Sequence, residues 1–457
     1  MTALGFSEPS SAQGNLVAVN TLPWARSGVV QLPQLSNSPR YGLLSGDLGL
    51  SEIRPLVSAT SSSASLKEIM KDVFQLSNSH FTVEISSGVI TSLYDKRAAR
   101  QVIPRGSKAA QLVIYDDKPL YWQAWDVEVY HLSSRHELHP ARTTVAENGP
   151  HRASVITETQ ISDKSWIKTT ISLSATTDDN PSYIEMDSEV EWREDKRFLK
   201  VEFPVDVRNT EASYETQYGI VRRPTHYNTT WDMAKFEVCC HKWADLSEAG
   251  YGVSILNDSK YGFATQGNVM RLSLLRAPKA PDAHADMGRH HFRYAIMPHS
   301  GAVGTSTVRA AFNFNNPVMP PHGSGSGEQQ TLFPFTKTPS PYLRTHEEPE
   351  YARRLLASVR ICESSSKAII LDAIKRGEDD EDVSTGELPK RKGRSVVVRL
   401  YDSLGGKCSG KVLVDLPVRK VVRCNLLEDD EGEVKMETEG FGVELRPFEV
   451  ATYRLML

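Results

Sequence analysis

The run Ile184-Glu185-Met186-Asp187-Ser188-Glu189-Val190-Glu191-Trp192 decides the fold class. In an extended backbone, Ile184, Met186, Ser188, Val190 and Trp192 share one face. Glu185, Asp187, Glu189, Glu191 and then Arg193 share the other. That is a half-buried strand with an acidic solvent face. Downstream, Leu199, Val201, Phe203 and Val205 alternate with Lys200, Glu202 and Asp206; upstream, Ile167, Thr169, Ile171 and Leu173 repeat the pattern. Antiparallel sheets with one wet face produce such alternation, whereas buried parallel strands read as continuous apolar runs. The sequence therefore predicts an all-β protein.

Helical signals are few. Leu66, Ile69, Met70, Val73 and Phe74 fit helical spacing, but the segment is short and runs straight into strand-like sequence. Punctuation is clearer. Ser58 to Ser65 is serine-rich, and Asn315 to Pro341 is dense in Pro, Gly and Ser, including Gly323-Ser324-Gly325-Ser326-Gly327. Gly377 to Arg394 begins acidic, at Glu378 to Asp382, and ends basic, at Lys390 to Arg394. It reads as a solvated loop rather than a docking segment. Ser395 to Tyr401 and Val443 to Leu455 read as strands of a small terminal β-domain. A length of 457 residues suits two or three domains.

Composition removes several classes of function. Hydrophobic residues make up 39% and charged residues 24%, with a formal net charge of -4. This balance indicates neither a nucleic-acid nor a membrane partner. Met1 to Gly14 has neither the basic nor the apolar part of a secretory leader, and no apolar run reaches membrane-span length. The five cysteines include no C-x-x-C pair, so neither a disulfide framework nor a zinc knuckle is indicated. The expected compartment is the cytoplasm, or a lumen reached by an unconventional route. Walker, dinucleotide, G-x-S-x-G and H-E-x-x-H motifs are all absent from the sequence.

Three patches could carry chemistry. Asp282, His284, Asp286, His290 and His291 offer oxygen and imidazole ligands, yet they follow Pro278 and Pro281 and surround Gly288, which reads as a polar loop rather than a metal site. Tyr115 to Asp126 interleaves Tyr121, Trp122 and Trp125 with Asp116, Asp117 and Asp126. Aromatic faces and carboxylates are what a sugar surface needs, although core aromatics of an ordinary strand would look alike. The stretch from Tyr218 to Asp232, followed by His241 and Trp243, sets glycines beside aromatics. His226, Asp232 and His241 there could perform acid–base work but read more simply as structural hydrogen-bonders.

These patches, in this order, resemble the C-terminal region of glycoside hydrolase family 38, the α-mannosidases, in its cytosolic and vacuolar branch. The matching segments include Val17 to Trp24, Gly88 to Lys96, Tyr115 to Asp126, Tyr218 to Asp232 and Trp243 to Asp258. They continue with Leu274 to Lys279, Asp286 to Tyr294, Pro298-His299, Arg399 to Gly406 and Arg446 to Glu449. The resemblance covers nearly the whole chain and implies a retaining α-mannosidase in which zinc grips the sugar hydroxyls. In that family the nucleophile, the acid–base residue and the zinc ligands belong to an N-terminal barrel and a His-His-Asp segment. The expectation is thus a chain with no catalytic residue and no metal ligand of its own, inactive alone. Zinc belongs to the full-length enzyme.

By the same resemblance Arg276, Tyr121, Trp122 and Asp126 contact substrate, a mannose-containing oligosaccharide, and the chain self-associates into a homo-oligomer. The rival reading is a free-standing carbohydrate-binding or assembly module. The expected architecture is a large antiparallel, mutarotase-like β-supersandwich over 79–320, with smaller β-sandwich domains. A β segment occupies 1–62, a linker 321–345 and a C-terminal β-domain 346–457. By this analogy Leu66 to Phe74 becomes a strand despite its helical spacing.

Overall fold

The computed structural model describes residues 16–20, 22–24, 26, 28–32, 40–45, 49–55, 63–176, 181–317, 359–384 and 390–457. The chain forms two compact units, Leu56–Asn315 and the combination of Met1–Pro55 with Asn316–Leu457. The 321–345 linker lies outside the described residues.

In the first unit, Ile184–Trp192 sits inside a nine-stranded antiparallel sheet. The order is Arg142–Asn148, Arg152–Gln160, Trp166–Ser174, Ile184–Trp192, Gly288–Ser300, Tyr251–Asn257, Trp243–Ser247, Glu211–Thr216 and Gly219–Pro224. The face predicted to be dry is dry, since Ile184, Met186, Ser188, Val190 and Trp192 are all buried. Met186 is opposite Ile171 on one neighbour and Tyr294 on the other. A one-residue slip would turn the whole apolar set to water, so the pattern itself fixes the register.

A six-stranded sheet faces it, ordered His136–Glu137, Gln111–Asp116, Arg197–Pro204, Val269–Arg276, Gly262–Gln266 and Val238–Cys239. Side chains meet between the two layers. Phe203 stands edge-on to Tyr294 at 6.2 Å, and the Tyr214 hydroxyl donates to Thr265 Oγ1 at 2.8 Å. The all-β sandwich expectation holds.

On the wet face the carboxylates of Ile184–Trp192 are laced to the next strand. Glu185 pairs with Arg293 at 3.2 Å, Asp187 with His291 at 2.6 Å and Glu191 with Arg289 at 3.3 Å. Such cross-strand pairs are the unit of sheet stabilisation.

Two elements escape sequence periodicity. Leu66 to Phe74 is neither a helix nor one strand but a hairpin, Ser65–Met70 and Val73–Ser77, turning through Asp72 at φ 59°. Leu66, Phe74 and Leu76 are buried while Ile69 and Met70 are exposed. The apparent helical spacing is therefore an accident of counting across a turn. Conversely, Thr305–Asn315 is a helix that the sequence reading missed. It buries Thr307, Val308, Ala310, Ala311 and Phe314, and Thr307 lies 3.1 Å from the Ser254 hydroxyl.

The second unit contains a four-stranded sheet of Leu16–Asn20, Gly49–Pro55, Arg40–Ser45 and Gly28–Leu32. Its C-terminal part is a sandwich. A five-stranded sheet (Ile369–Arg376, Ser395–Asp402, Val450–Met456, Lys420–Cys424, Asp430–Val434) and a three-stranded sheet (Val359–Ile361, Cys408–Val414, Gly440–Leu445) share a core that includes Val398, Leu400, Val412, Phe441, Tyr453 and Leu455.

The charged segment read as a solvated loop is partly buried, closing over Arg454 on the face of the five-stranded sheet turned away from that core. Arg454 is fully buried and donates to Asp379 at 2.7 Å and to the Glu428 carbonyl at 2.9 Å. Buried Asp380 accepts from Arg376 at 3.0 Å and from the backbone and hydroxyl of Ser395, each at 2.7 Å. Burial works against the Asp379 carboxylate, but Arg391 and Arg454 outweigh it and hold its pKa below the usual value.

Two measurements follow from these charges. Replacing Arg454 by Met strands several acidic groups without their cation, so urea unfolding should show a loss of about 3–5 kcal/mol. The hydrogen bond that His291 donates to the Asp187 carboxylate raises the histidine's pKa. A raised histidine pKa stabilises the fold below its unfolded value, and that contribution is lost as pH rises through the folded value. The melting-temperature deficit of His291→Gln should accordingly be larger at about pH 5 than at about pH 8.

Candidate functional site

Three strand ends meet at one edge of the six-stranded sheet. Gln111–Asp116 runs out beside the start of Arg197–Pro204, pairing Asp116 with Arg197, and Phe198 is opposite Arg276 at the end of Val269–Arg276. The chain leaving Asp116 must cross this edge. It does so as a loop, 117–126, wrapped around one guanidinium.

Buried Asp117 accepts from Arg276 Nε at 2.8 Å and from Nη2 at 3.1 Å, a bidentate pair. Nη2 is shared further, donating to the Gln123 carbonyl at 3.0 Å and the Asp126 carbonyl at 2.7 Å. The Arg276 guanidinium also lies 5.6 Å from the Phe198 ring centroid, and its carbonyl accepts from Trp192 Nε1 at 3.0 Å. Other ties complete the loop. Lys279 N donates to Gln123 Oε1 at 3.0 Å, and Tyr130 donates to the Lys118 carbonyl at 2.7 Å.

Below Phe198 the sheet carries more buried charge. Lys200 is fully buried, pairs with Glu237 and lies 4.4 Å from the Phe198 ring. Burial lowers its pKa, and Glu237 opposes that shift. Nearby, Glu202 accepts from Arg135, Arg271 and Tyr115.

What the loop presents is apolar and exposed. Leu120, Tyr121, Trp122 and Trp125 keep 73%, 74%, 69% and 67% of their surface accessible. Trp122 has φ 54°, a conformation that a bulky side chain rarely takes. Its carbonyl accepts from Trp125 N at 2.8 Å and Asp126 N at 2.9 Å, which locks the turn. The two indoles stand edge to face, 5.9 Å apart and 86° between planes. The exposed Asp126 carboxylate, Gln123 Nε2 and Arg276 Nη1 make no hydrogen bond within the described residues.

The structure thus gathers Tyr121, Trp122, Asp126 and Arg276 at one loop. Sequence reasoning named Trp125 and Asp117 within the aromatic and acidic patch but did not place Trp125 among the contacts, nor pair Asp117 with Arg276, which is remote in sequence.

The other patches are dispersed. Thr229 and Asp232 form a reciprocal cap on the short helix Thr230–Met233, and His226 lies 3.6 Å from Asp232. His241 instead packs edge-on against Tyr261 at 5.1 Å. His284 N donates to Asp282 at 2.8 Å, His290 contacts the Asp286 carbonyl and His291 contacts Asp187. Among the described residues no group of three or more His, Cys, Asp or Glu is placed to hold a metal ion, so these residues do not fit the zinc that the resemblance implies for the full-length enzyme. Nor is any described helix long and apolar enough to cross a membrane.

Known proteins share both the sequence and the architecture. Residues 76–284 match the glycosyl hydrolases family 38 C-terminal domain, and residues 368–453 match the family's C-terminal beta sandwich domain. The "Alpha-mannosidase" of Saccharomyces cerevisiae is 42% identical over 84% of this chain and 35% of its own length. The Homo sapiens "Alpha-mannosidase 2C1" is 36% identical over 100% of this chain and 41% of its own. An alpha-mannosidase from Enterococcus faecalis superposes with TM-score 0.62 at 14% identity, over 98% of this chain and 51% of that one, a likeness of fold. Both matches are to C-terminal domains of one family, and the chain belongs to glycosyl hydrolase family 38. It spans 35% and 41% of these two curated relatives.

Asp117→Asn would leave Arg276 without its carboxylate and free the loop. We expect a stability loss of about 1–3 kcal/mol, together with faster amide exchange confined to residues 117–126 and 277–279. Unchanged exchange there would show that the remaining hydrogen bonds suffice.

Proposed function

We propose that this chain supplies the sugar-facing β-region of a glycoside hydrolase acting on α-mannosides, and that its own part is to bind the sugar rather than to cleave the bond. The observation that supports this most is the 117–126 loop. It holds exposed aromatic side chains in one run with an unpaired carboxylate and unpaired N–H donors, and Arg276 braces it through Asp117 and two loop carbonyls. A pyranose presents a weakly polar C–H face and a rim of hydroxyls, so it needs both an aromatic platform and in-plane polar groups. Tyr121 and Trp122 offer the platform. The Asp126 carboxylate accepts from hydroxyls, and Arg276 Nη1 donates to them. The names of the relatives point to the same sugar.

The chain should bind methyl α-mannoside at millimolar concentration in a calorimetric titration. Trp122→Ala and Asp126→Ala should each weaken binding about tenfold, or about 1.4 kcal/mol. No heat from the mannoside would sink the reading. The binding-only part is tested separately with a chromogenic α-mannoside and added zinc. Turnover that disappears in Arg276→Ala would overturn it.

A further inference from the structure

One flat ring cannot lie on both Trp122 and Trp125, because their planes are 86° apart. Each indole nonetheless keeps about two thirds of its surface open, 69% and 67%. An edge-to-face pair covers at most one face of one partner, so two aromatic faces at nearly right angles remain available. The arrangement is held, not floating. Trp122 accepts a left-handed backbone that glycine or asparagine would take more easily, and two N–H groups pin its carbonyl. Strain retained at a position that the surroundings over-determine is a mark of presentation rather than of packing. Both rings point away from the core that would otherwise explain them.

Resting on the sugar-binding reading above, we infer that Trp122 and Trp125 hold two consecutive rings of an α-linked oligosaccharide, with Trp125 carrying the second ring and setting a preference for chains over single sugars. An axial glycosidic bond turns one pyranose sharply out of the plane of the next, so two linked rings present their C–H faces in different directions. Perpendicular indoles suit that turn, whereas coplanar ones would suit a flat, equatorially linked chain. A protein partner would match this patch less well. The unpaired Asp126, Gln123 Nε2 and Arg276 Nη1 beside it would be desolvated without reward by an apolar surface, while sugar hydroxyls can engage all three.

The test is a calorimetric comparison on the whole chain, using methyl α-mannoside and the mannobiosides of each α linkage. At least one mannobioside should bind about tenfold tighter than the monosaccharide. Trp125→Ala should erase that difference and leave the monosaccharide affinity unchanged, and Trp125→Phe should restore most of it. Trp122→Ala should weaken both ligands. Equal affinities for one and two rings in the parent chain would overturn the inference while leaving sugar binding intact. So would a Trp125→Ala variant that keeps the preference. Absence of heat from every sugar would overturn the binding reading itself, and this inference with it. Both tryptophans are exposed, so circular dichroism should confirm folded variants.

Discussion

The bidentate pair between Asp117 and Arg276 is the constraint on which the candidate site depends. Asp117 is buried and Arg276 largely so, and taking two charges out of water is costly unless geometry and further hydrogen bonds compensate. Here they do. The guanidinium satisfies the carboxylate and two loop carbonyls together, so one side chain replaces the ladder that 117–126 forgoes on leaving the sheet. The pair also ties the exit of one strand to the end of another. A looser link, such as lysine to aspartate, could neutralise the charge but could not fix the loop's orientation.

Arg276 is supported by packing as well as by charge. Its guanidinium shares the Phe198 ring with Lys200, whose burial is tolerable only because Glu237 lies against it. The six-stranded sheet therefore carries alternating charge on a face where periodicity predicts solvent. Lys200 and Glu202 were correctly placed opposite Leu199 and Val201, but that side of the strand proves to be covered too.

That difference shows how much the sequence discloses. Period-two alternation reveals strands, their dry faces and, through Ile184 to Trp192, the register of a large sheet. It says nothing about what covers the other face. The same limit explains Gly377 to Arg394, whose segregated charges look solvated until Arg454, distant in sequence, is seen to occupy their centre. Short windows also miscount. Leu66 to Phe74 satisfies helical spacing only when its turn is ignored, and Thr305–Asn315 opens with β-branched residues that conceal a helix whose small side chains fit closely over a sheet. The site was legible to the extent that it is contiguous. Tyr121, Trp122 and Asp126 lie in one run of aromatic and acidic residues, whereas the Asp117–Arg276 partnership crosses a separation that spacing cannot bridge.

Preorganisation gives these observations a common direction. A surface loop with four large exposed apolar side chains would ordinarily collapse onto itself or sample many conformers, and a ligand would then have to order it at a cost in affinity. Bound to a sheet edge through Arg276, Gln123 and the Trp122 turn, this loop is ordered by folding, before any ligand arrives. The strain at Trp122 and the buried charge at Asp117 are then borne by the stability of the sandwich core and not by the binding step. Stability and recognition are thereby coupled in one direction. Weakening the sheet edge should blunt the site, while altering the exposed indoles should leave the fold untouched.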